Sequence, residues 1–397
     1  MISVEEALAK VAAHSENHVR RRKSVPLQEA LHSVLAQTVY APIALPPFKQ
    51  SAMDGYAIHR HDQLTYQLVG EIKAGDPFDL ILKPGEACRI FTGAGVPETA
   101  NAVVIQEQVY REQGQIRLQK TPELGQNIRT IGEQLNPGTL VFEQGAFLNP
   151  PALGLLQSLG LSNVEVYSKP RISVLITGNE LEPPGKPLDP GKIYESNSLV
   201  LQMVLRQMGI TTIQMNRIKD NAYATRKALE KALAQSDLVL VSGGISVGDF
   251  DFVGQALHEI GVEEIFYKVK QKPGKPLFFG KFQQTYLFAL PGNPASTLNC
   301  FYVYVYPLLE ALMGKTKRGL LRIQQPIAKE FENNSGRALF LKASIKNNVV
   351  SLLTGQASSM IKAFAAANAL VYIPSEKKTV TQNEWVETLL LPYGISN

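Results

Sequence analysis

Between residues 172 and 312, short runs of almost unbroken apolar residues alternate with longer amphipathic stretches. The runs predict strands at 172–176, 211–215, 238–241 and 285–290, and the stretches predict helices at 197–209, 222–235, 251–260 and 294–312. A strand with no polar face is covered on both sides, so the alternation implies a doubly wound parallel sheet with helices on either face. Three strands run straight into Gly/Pro-rich turns: ISVLI before TGNE, LVLV before SGGISVGDFD, and YLFAL before PGNPAS. In an open parallel sheet such turns gather at the carboxyl edge, where a ligand crevice forms. The place of a site is thus legible before its chemistry.

Elsewhere the periodicity changes. Val4, Ala7, Leu8, Val11 and Ala12 give an amphipathic helix over about 3–20. It ends near Arg20, Arg21, Arg22 and Lys23, where cations complement the helix dipole. From about 45 to 134 short strands and turns such as AGDPF, KPGEA and EQGQ predict a small all-β module. NPPALGLLQSLG reads as a helix entered through prolines. The tail returns to short strands. The expected organisation is an N-terminal helix and linker segment at 1–45, a β module at 46–135, a second linker segment at 136–168, an α/β domain at 169–318 and a C-terminal β-barrel-like domain at 319–397.

Composition narrows the function classes. The 397 residues are 45% hydrophobic and 19% charged, as in an ordinary soluble chain, and are long enough for several cores. A net charge of +5 is too mild and dispersed to argue for nucleic acid, though it is compatible with an anionic small molecule. MISVEEALAK has no signal-peptide pattern, and the longest apolar stretch, FYVYVYPLLEALM, is interrupted by Pro307 and Glu310. A cytoplasmic protein without a membrane partner is expected. Cys88 and Cys300 are isolated in apolar contexts and read as packing residues.

The candidate chemistry concentrates in the turns. In the loop Ser242, Gly243, Gly244, Ile245, Ser246, the glycines allow close backbone approach, and amides before a helix suit an oxyanion. Asp249 and Asp251 at its end suit a hard cation such as Mg²⁺, although either alone would equally serve as a helix N-cap. Glu180 and Asp220 are expected on the same edge, and four acids in one crevice are costly without a cation. GISVG also matches a nucleophile elbow, but the order of acid and histidine fails: the one downstream histidine, His258, lies on the adjoining helix. In KPGKP, prolines fix the spacing of Lys272 and Lys275, which gives an oxyanion clamp or a plain surface hairpin. Ser296 falls in the first turn of the helix entered through Pro294, and Asp54 occupies a tight turn in SAMDGYA. His59 and His61 have no third ligand nearby and read as a solvated strand end.

Taken together and in order, SAMDGYA, TGAGVPETANAVVIQE, IRTIGEQ, LITGNEL, IYESNS, SGGISVGDFDF, KPGKP, LPGNPAS and GQASSM…AANAL closely resemble the molybdopterin molybdenumtransferase family, of the MoeA and gephyrin E-domain type. The resemblance implies a homodimer of four-domain subunits, with a molybdopterin-binding α/β domain and a β module reaching toward the partner's cleft. It implies Mg²⁺-assisted hydrolysis of adenylyl-molybdopterin with transfer of molybdate to the dithiolene, releasing AMP. It also implies transient contact with the molybdopterin adenylyltransferase and with apo-molybdoenzymes. Matched motif by motif, Asp54, Thr92, Glu180, Asp220, Asp251 and Pro291 take the positions associated with activity. Lys272, Lys275 and Ser296 match molybdate-binding positions, and Arg337 and Ser358 match further oxyanion contacts. Glu180, Asp249 and Asp251 are the expected metal ligands. The family usually carries Asp where this chain has Asn179, Asn101, Gln134 and Lys49, the last reversing charge beside Asp54. A catalytically weak pterin- or nucleotide-binding paralogue, or a scaffold, is the alternative these departures suggest.

Overall fold

The computed structural model describes residues 1–16, 18–185, 187–219, 221–245, 252–316 and 318–392. The chain forms two compact units, one from Met1–Ser24, His32–Ala36 and Glu165–Asn397, the other from Val25–Leu31 and Gln37–Val164.

The first unit is built on a six-stranded sheet in the order Ile213–Ile218, Ile172–Thr177, Leu238–Ser242, Thr285–Leu290, Phe278–Phe282, Glu263–Tyr267. The first four strands are parallel, and the last two are antiparallel to their neighbours. The sheet thus has the expected doubly wound parallel core, extended at one edge by two strands in antiparallel pairing. Its antiparallel hairpin turns on Gln283 at φ 54° without the Asn-Gly or Asp-Gly pair that announces such a turn. Alternate strand residues supply two cores, as strands buried on both faces must. Val174, Leu240 and Phe288 pack with the Val4–Glu16 helix and the 294–312 segment. Leu175, Val239, Val241 and Leu287 pack with Leu229 and Leu233 of Ala222–Gln235 and with Val253 and Leu257 of Phe252–Ile260. Each fully buried Val, Leu or Phe contributes about 1.5–3 kcal/mol.

Two helix expectations change. The first helix stops at Glu16, and the cations that follow do other work. Arg20 Nε donates to Ala311 O at 2.8 Å, near the C-terminus of the Tyr306–Leu312 helix, and Arg21 pairs with Asp237 at 2.6 Å. The 294–312 helix carries a π turn at Phe301–Val305 between Pro294–Cys300 and Tyr306–Leu312. Pro307 has no N–H for the Val303 carbonyl, and the Tyr306 N–H reaches back to Phe301 O instead.

The tail forms a second sheet in the order Gln271–Lys272, Ala338–Lys346, Ala369–Ile373, Trp385–Leu390, Arg322–Pro326, with Val349–Leu352 paired to Ala338–Lys346. Its first strand is the start of KPGKP, in parallel register Gln271↔Ala338 and Lys272↔Leu339. One face packs Leu339, Leu341, Val371 and Val386, and the other carries Ala338, Phe340 and Leu370 into the larger core. In the second unit, a six-stranded sheet runs Ala102–Ile105, Gly55–Ile58, Glu86–Ile90, Thr65–Ile72, Gln115–Leu118, Val109–Glu112. The Pro150–Ser158 helix of that unit is capped by Asn149 Oδ1, which accepts from Ala152 N at 2.9 Å. No helix among the described residues is long and apolar enough to cross a membrane.

Candidate functional site

The order of the parallel strands reverses at Ile172–Thr177, since the chain goes next to Ile213–Ile218 on one side and then to Leu238–Ser242 on the other. Such a switch leaves a gap between the loops at the carboxyl ends. A cavity of 390 Å³ occupies it, lined by Thr177, Gly178, Glu180, Glu195, Asn197, Ser242, Gly243, Gly244, Pro276, Pro291, Gly292 and Asn293 among others. Gly243 has φ +92°, and a Cβ there would lie 2.4 Å from Thr177 O, so the two strand ends meet backbone to backbone. Buried Asn197 joins the loops, its Nδ2 donating to Ser242 Oγ at 2.9 Å and to Gly292 O at 2.7 Å. Thr297 Oγ1 donates to Pro291 O at 2.5 Å and holds the PGNP turn from the helix behind it. Glu180 is exposed at the lining, while Glu195 is engaged by Ser198 N at 2.8 Å.

KPGKP adjoins this cavity through Pro276. The loop is not a free hairpin. Its backbone is fixed from beneath by Gln271, whose Nε2 donates to Gly274 O at 2.9 Å while its Oε1 accepts from Tyr304 OH at 2.5 Å. Gly274 has φ +85°, and a Cβ there would come within 2.5 Å of Cys300 Sγ. Above this buried support Lys272 and Lys275 are exposed, and neither forms an ion pair among the described residues. Arg337 directly precedes the strand paired with Gln271 and Lys272, which brings a third cation to the loop. Ser358 is tied to the cavity lining, its Oγ accepting from Asn293 Nδ2 at 3.0 Å. Ser296 is 2% exposed in the helix following PGNP. The loops thus join a glycine-lined cavity to a group of cations without an ion-pair partner among the described residues, an arrangement suited to anionic ligands.

Asp54 and Thr92 meet in the second unit. Asp54 Oδ1 accepts from Thr92 N at 2.8 Å and from Thr92 Oγ1 at 2.7 Å. The main-chain bond, then the hydroxyl, then the charge of Arg89 hold this exposed carboxyl below the ordinary Asp range, against a small desolvation penalty. Asp220, Ser246, Asp249 and Asp251 lie outside the described residues. Among the described residues no group of three His, Cys, Asp or Glu side chains is placed to hold a metal ion. Of the three expected Mg²⁺ ligands, the structure therefore places Glu180 alone. His59 and His61 are engaged with the carbonyls of Leu82 and Thr65, each at 2.9 Å.

Comparison with known proteins matches this architecture. The "Molybdopterin molybdenumtransferase" of Haemophilus influenzae is 38% identical over 370 residues, 91% of each chain. The protein so named in Staphylococcus epidermidis is 30% identical over 402 residues, covering 98% of this chain and 95% of its own. The chain belongs to the molybdopterin molybdenumtransferase family. The family models described as "MoeA N-terminal region (domain I and II)", "Probable molybdopterin binding domain" and "MoeA C-terminal region (domain IV)" match residues 2–160, 173–311 and 324–391. The solved structure of a molybdopterin biosynthesis MoeA protein from Pyrococcus horikoshii superposes with TM-score 0.82 at 28% identity, covering 98% of this chain and 99% of its own. The multidomain α/β plus β architecture is thus that of the molybdenumtransferase family.

Within that family frame, two of the four departures from Asp have visible local roles. Lys49 Nζ pairs with Glu98 Oε1 at 3.0 Å, so its charge has a partner of its own. Asn101 Oδ1 accepts from Arg60 N at 3.0 Å, a contact an Asp carboxylate could equally accept. Asn197, Gln271, Asn293 and Gln356, absent from the sequence-based candidates, hold the loops through their side-chain amides, Gln356 by its bonds to Lys342 N, Lys342 O and Leu353 O, and Asn197 and Asn293 also line the cavity. Asn197 and Asn293 stood inside the quoted motifs IYESNS and PGNPAS, and Gln356 inside GQASSM. An Asn or Gln in or beside a loop motif, whose amide can donate and accept at once, is the signal that points to such residues.

Proposed function

We propose that this protein inserts molybdenum in molybdenum cofactor biosynthesis, hydrolysing adenylyl-molybdopterin and passing molybdate to the dithiolene. Water adds to the phosphoanhydride, a P–O bond breaks, and AMP leaves. The two dithiolene thiols give up their protons as two Mo–S bonds form, and one molybdate oxygen departs as water. The observation that carries the reading is the joining of a glycine-lined carboxyl-edge cavity to the cations Lys272, Lys275 and Arg337, which form no ion pair among the described residues. The turn amide at Gly244 suits a phosphate oxygen, while that of Gly243 is given to Leu290 O at 3.3 Å, and the lysines suit molybdate. Asp54, kept ionised by Thr92, is available to orient the attacking water or accept its proton. Mg²⁺, held by Glu180 with Asp249 and Asp251, would neutralise phosphate charge when bound. The protein acts in the cytoplasm as a homodimer, with the β module of one subunit serving its partner's cleft. It receives substrate from the molybdopterin adenylyltransferase and delivers product to apo-molybdoenzymes.

The test is turnover of adenylyl-molybdopterin with molybdate, with and without Mg²⁺, following AMP release and activation of a reporter apo-molybdoenzyme. AMP release with activation is expected, with Lys275→Ala raising the KM for molybdate by roughly tenfold or more, the scale of a lost charged hydrogen bond. Tight binding without turnover would instead assign a silent paralogue, and undiminished activity after chelation would remove Mg²⁺.

A further inference from the structure

Lys342 lies in the middle of the Ala338–Lys346 strand and is 1% exposed. A buried ammonium costs several kcal/mol unless it is compensated, and an apolar side chain of similar volume would be the more stable choice. Among the described residues no carboxylate pairs with it, and its Nζ donates to Ala357 O at 3.1 Å. Burial lowers its pKa, as expected for a cation lacking a counter-charge.

The surroundings give that cation a use. The partner strand Val349–Leu352 pairs as far as Ala343; opposite Lys342, Leu353 N still donates to Lys342 O at 3.0 Å, and a side chain adds to the ladder there. Gln356 Oε1 accepts from Lys342 N at 3.0 Å, and Gln356 Nε2 donates to Lys342 O at 2.8 Å and to Leu353 O at 2.7 Å. Both the main chain and the side chain of Lys342 therefore grip residues 356 and 357. The next residue is Ser358, which hydrogen-bonds Asn293 at the cavity. The same strand pairs with Lys272 and follows directly from Arg337. We propose that Lys342 is a positioning residue of the oxyanion site: it sets the 356–358 loop so that Ser358 and Asn293 stay in place, and it adds fixed positive charge behind the exposed cations. This rests on the reading that the site takes molybdate. Chain connectivity links Ser358 to a buried cation that meets one protein acceptor, Ala357 O, among the described residues, and an anion bound at the site would help to repay its burial.

The test compares the full-length wild type, Lys342→Met and Lys342→Arg for molybdate binding by calorimetry, for kcat and KM toward molybdate, and for thermal unfolding. Lys342→Met should fold with a Tm equal to or above the wild type. Its molybdate Kd and KM should rise roughly tenfold, as for residues that support a first ligand shell, with kcat at saturation within about twofold. Lys342→Arg should restore most of the affinity. A purely structural role predicts the reverse, a lowered Tm with unchanged Kd. If Lys342→Met does not fold, Lys342→Gln, neutral yet able to donate to Ala357 O, takes its place. Wild-type affinity in a folded neutral variant overturns the inference alone. A wild type that takes up no molybdate overturns the functional reading, and the inference with it.

Discussion

The pair Asp54 and Thr92 shows how much two hydrogen bonds can decide for one exposed residue. The ionised carboxylate accepts both the Thr92 N–H and the Thr92 hydroxyl, so its folded-state pKa is depressed. Whatever stability the pair gives is present above the ordinary Asp pKa and is lost as pH falls through the depressed value. Thr92→Val keeps the main-chain donor and removes the hydroxyl. Carboxyl-carbon NMR titration should then find the Asp54 pKa higher than in the wild type, with the acid limb of the pH–activity profile moving up alongside it. An unmoved titration would show that the hydroxyl does not act on this carboxylate. Asp54 could be singled out from sequence because a tight turn has a recognisable residue pattern. Lys342 could not, because a lysine within an apolar strand gives no sign of which carbonyl it will reach. Lys49, five residues before Asp54, reverses the expected charge, and only the fold supplies Glu98 as its partner.

At the level of strands and turns, hydrophobic runs identified the parallel core closely: the Thr285–Leu290 strand and the Ala222–Gln235 helix stand where the periodicity put them. What escaped was the antiparallel edge of the sheet, two of its six strands. LFFG reads apart from the 285–290 strand, with no pairing between them, and the reversal that joins them depends on Gln283 adopting a left-handed conformation. The π turn escaped for a similar reason, since sequence marks Pro307 but not how the backbone rearranges around it. Gly243 is the turn residue with least room for change. Ala there would need φ near +92° and would set its Cβ 2.4 Å from a main-chain oxygen of the neighbouring strand end, which cannot swing aside like a side chain. Gly243→Ala should therefore cost about 1–3 kcal/mol from backbone strain, with more from the contact. Denaturant unfolding measures this; a midpoint equal to the wild type would mean that the loop moves freely away from Thr177.

For the molecule as a whole, the largest core does not stop at the α/β sheet. It runs from Val4 and Val11 through Phe279 and Phe288 to Phe301 and Tyr302, and on to Phe340, Phe364 and Leu370 of the tail. The tail is thereby part of the structure that supports KPGKP, since Gln271 and Lys272 are strand residues of its sheet and Cys300 lies directly beneath the loop. The two cysteines report on the units separately. Cys300 is buried in this core, and Cys88 is buried in the β module. Burial pushes the Cys88 thiol up to about 12 and raises that of Cys300 further, so neither should react with a thiol reagent until its surroundings open. Phe340→Ala removes a fully buried ring and should destabilise the core by about 3–5 kcal/mol. In the full-length protein at low denaturant, Cys300 labelling should then accelerate, by a factor of a few hundred or more if labelling follows the opening equilibrium, while Cys88 keeps its wild-type rate. Acceleration of Cys300 alone would establish that the floor of the cationic loop is held by packing from the tail. Equal acceleration at both thiols would mean that the cores open together, and a Cys300 rate unaffected by the loss of Phe340 would detach the loop from the tail altogether.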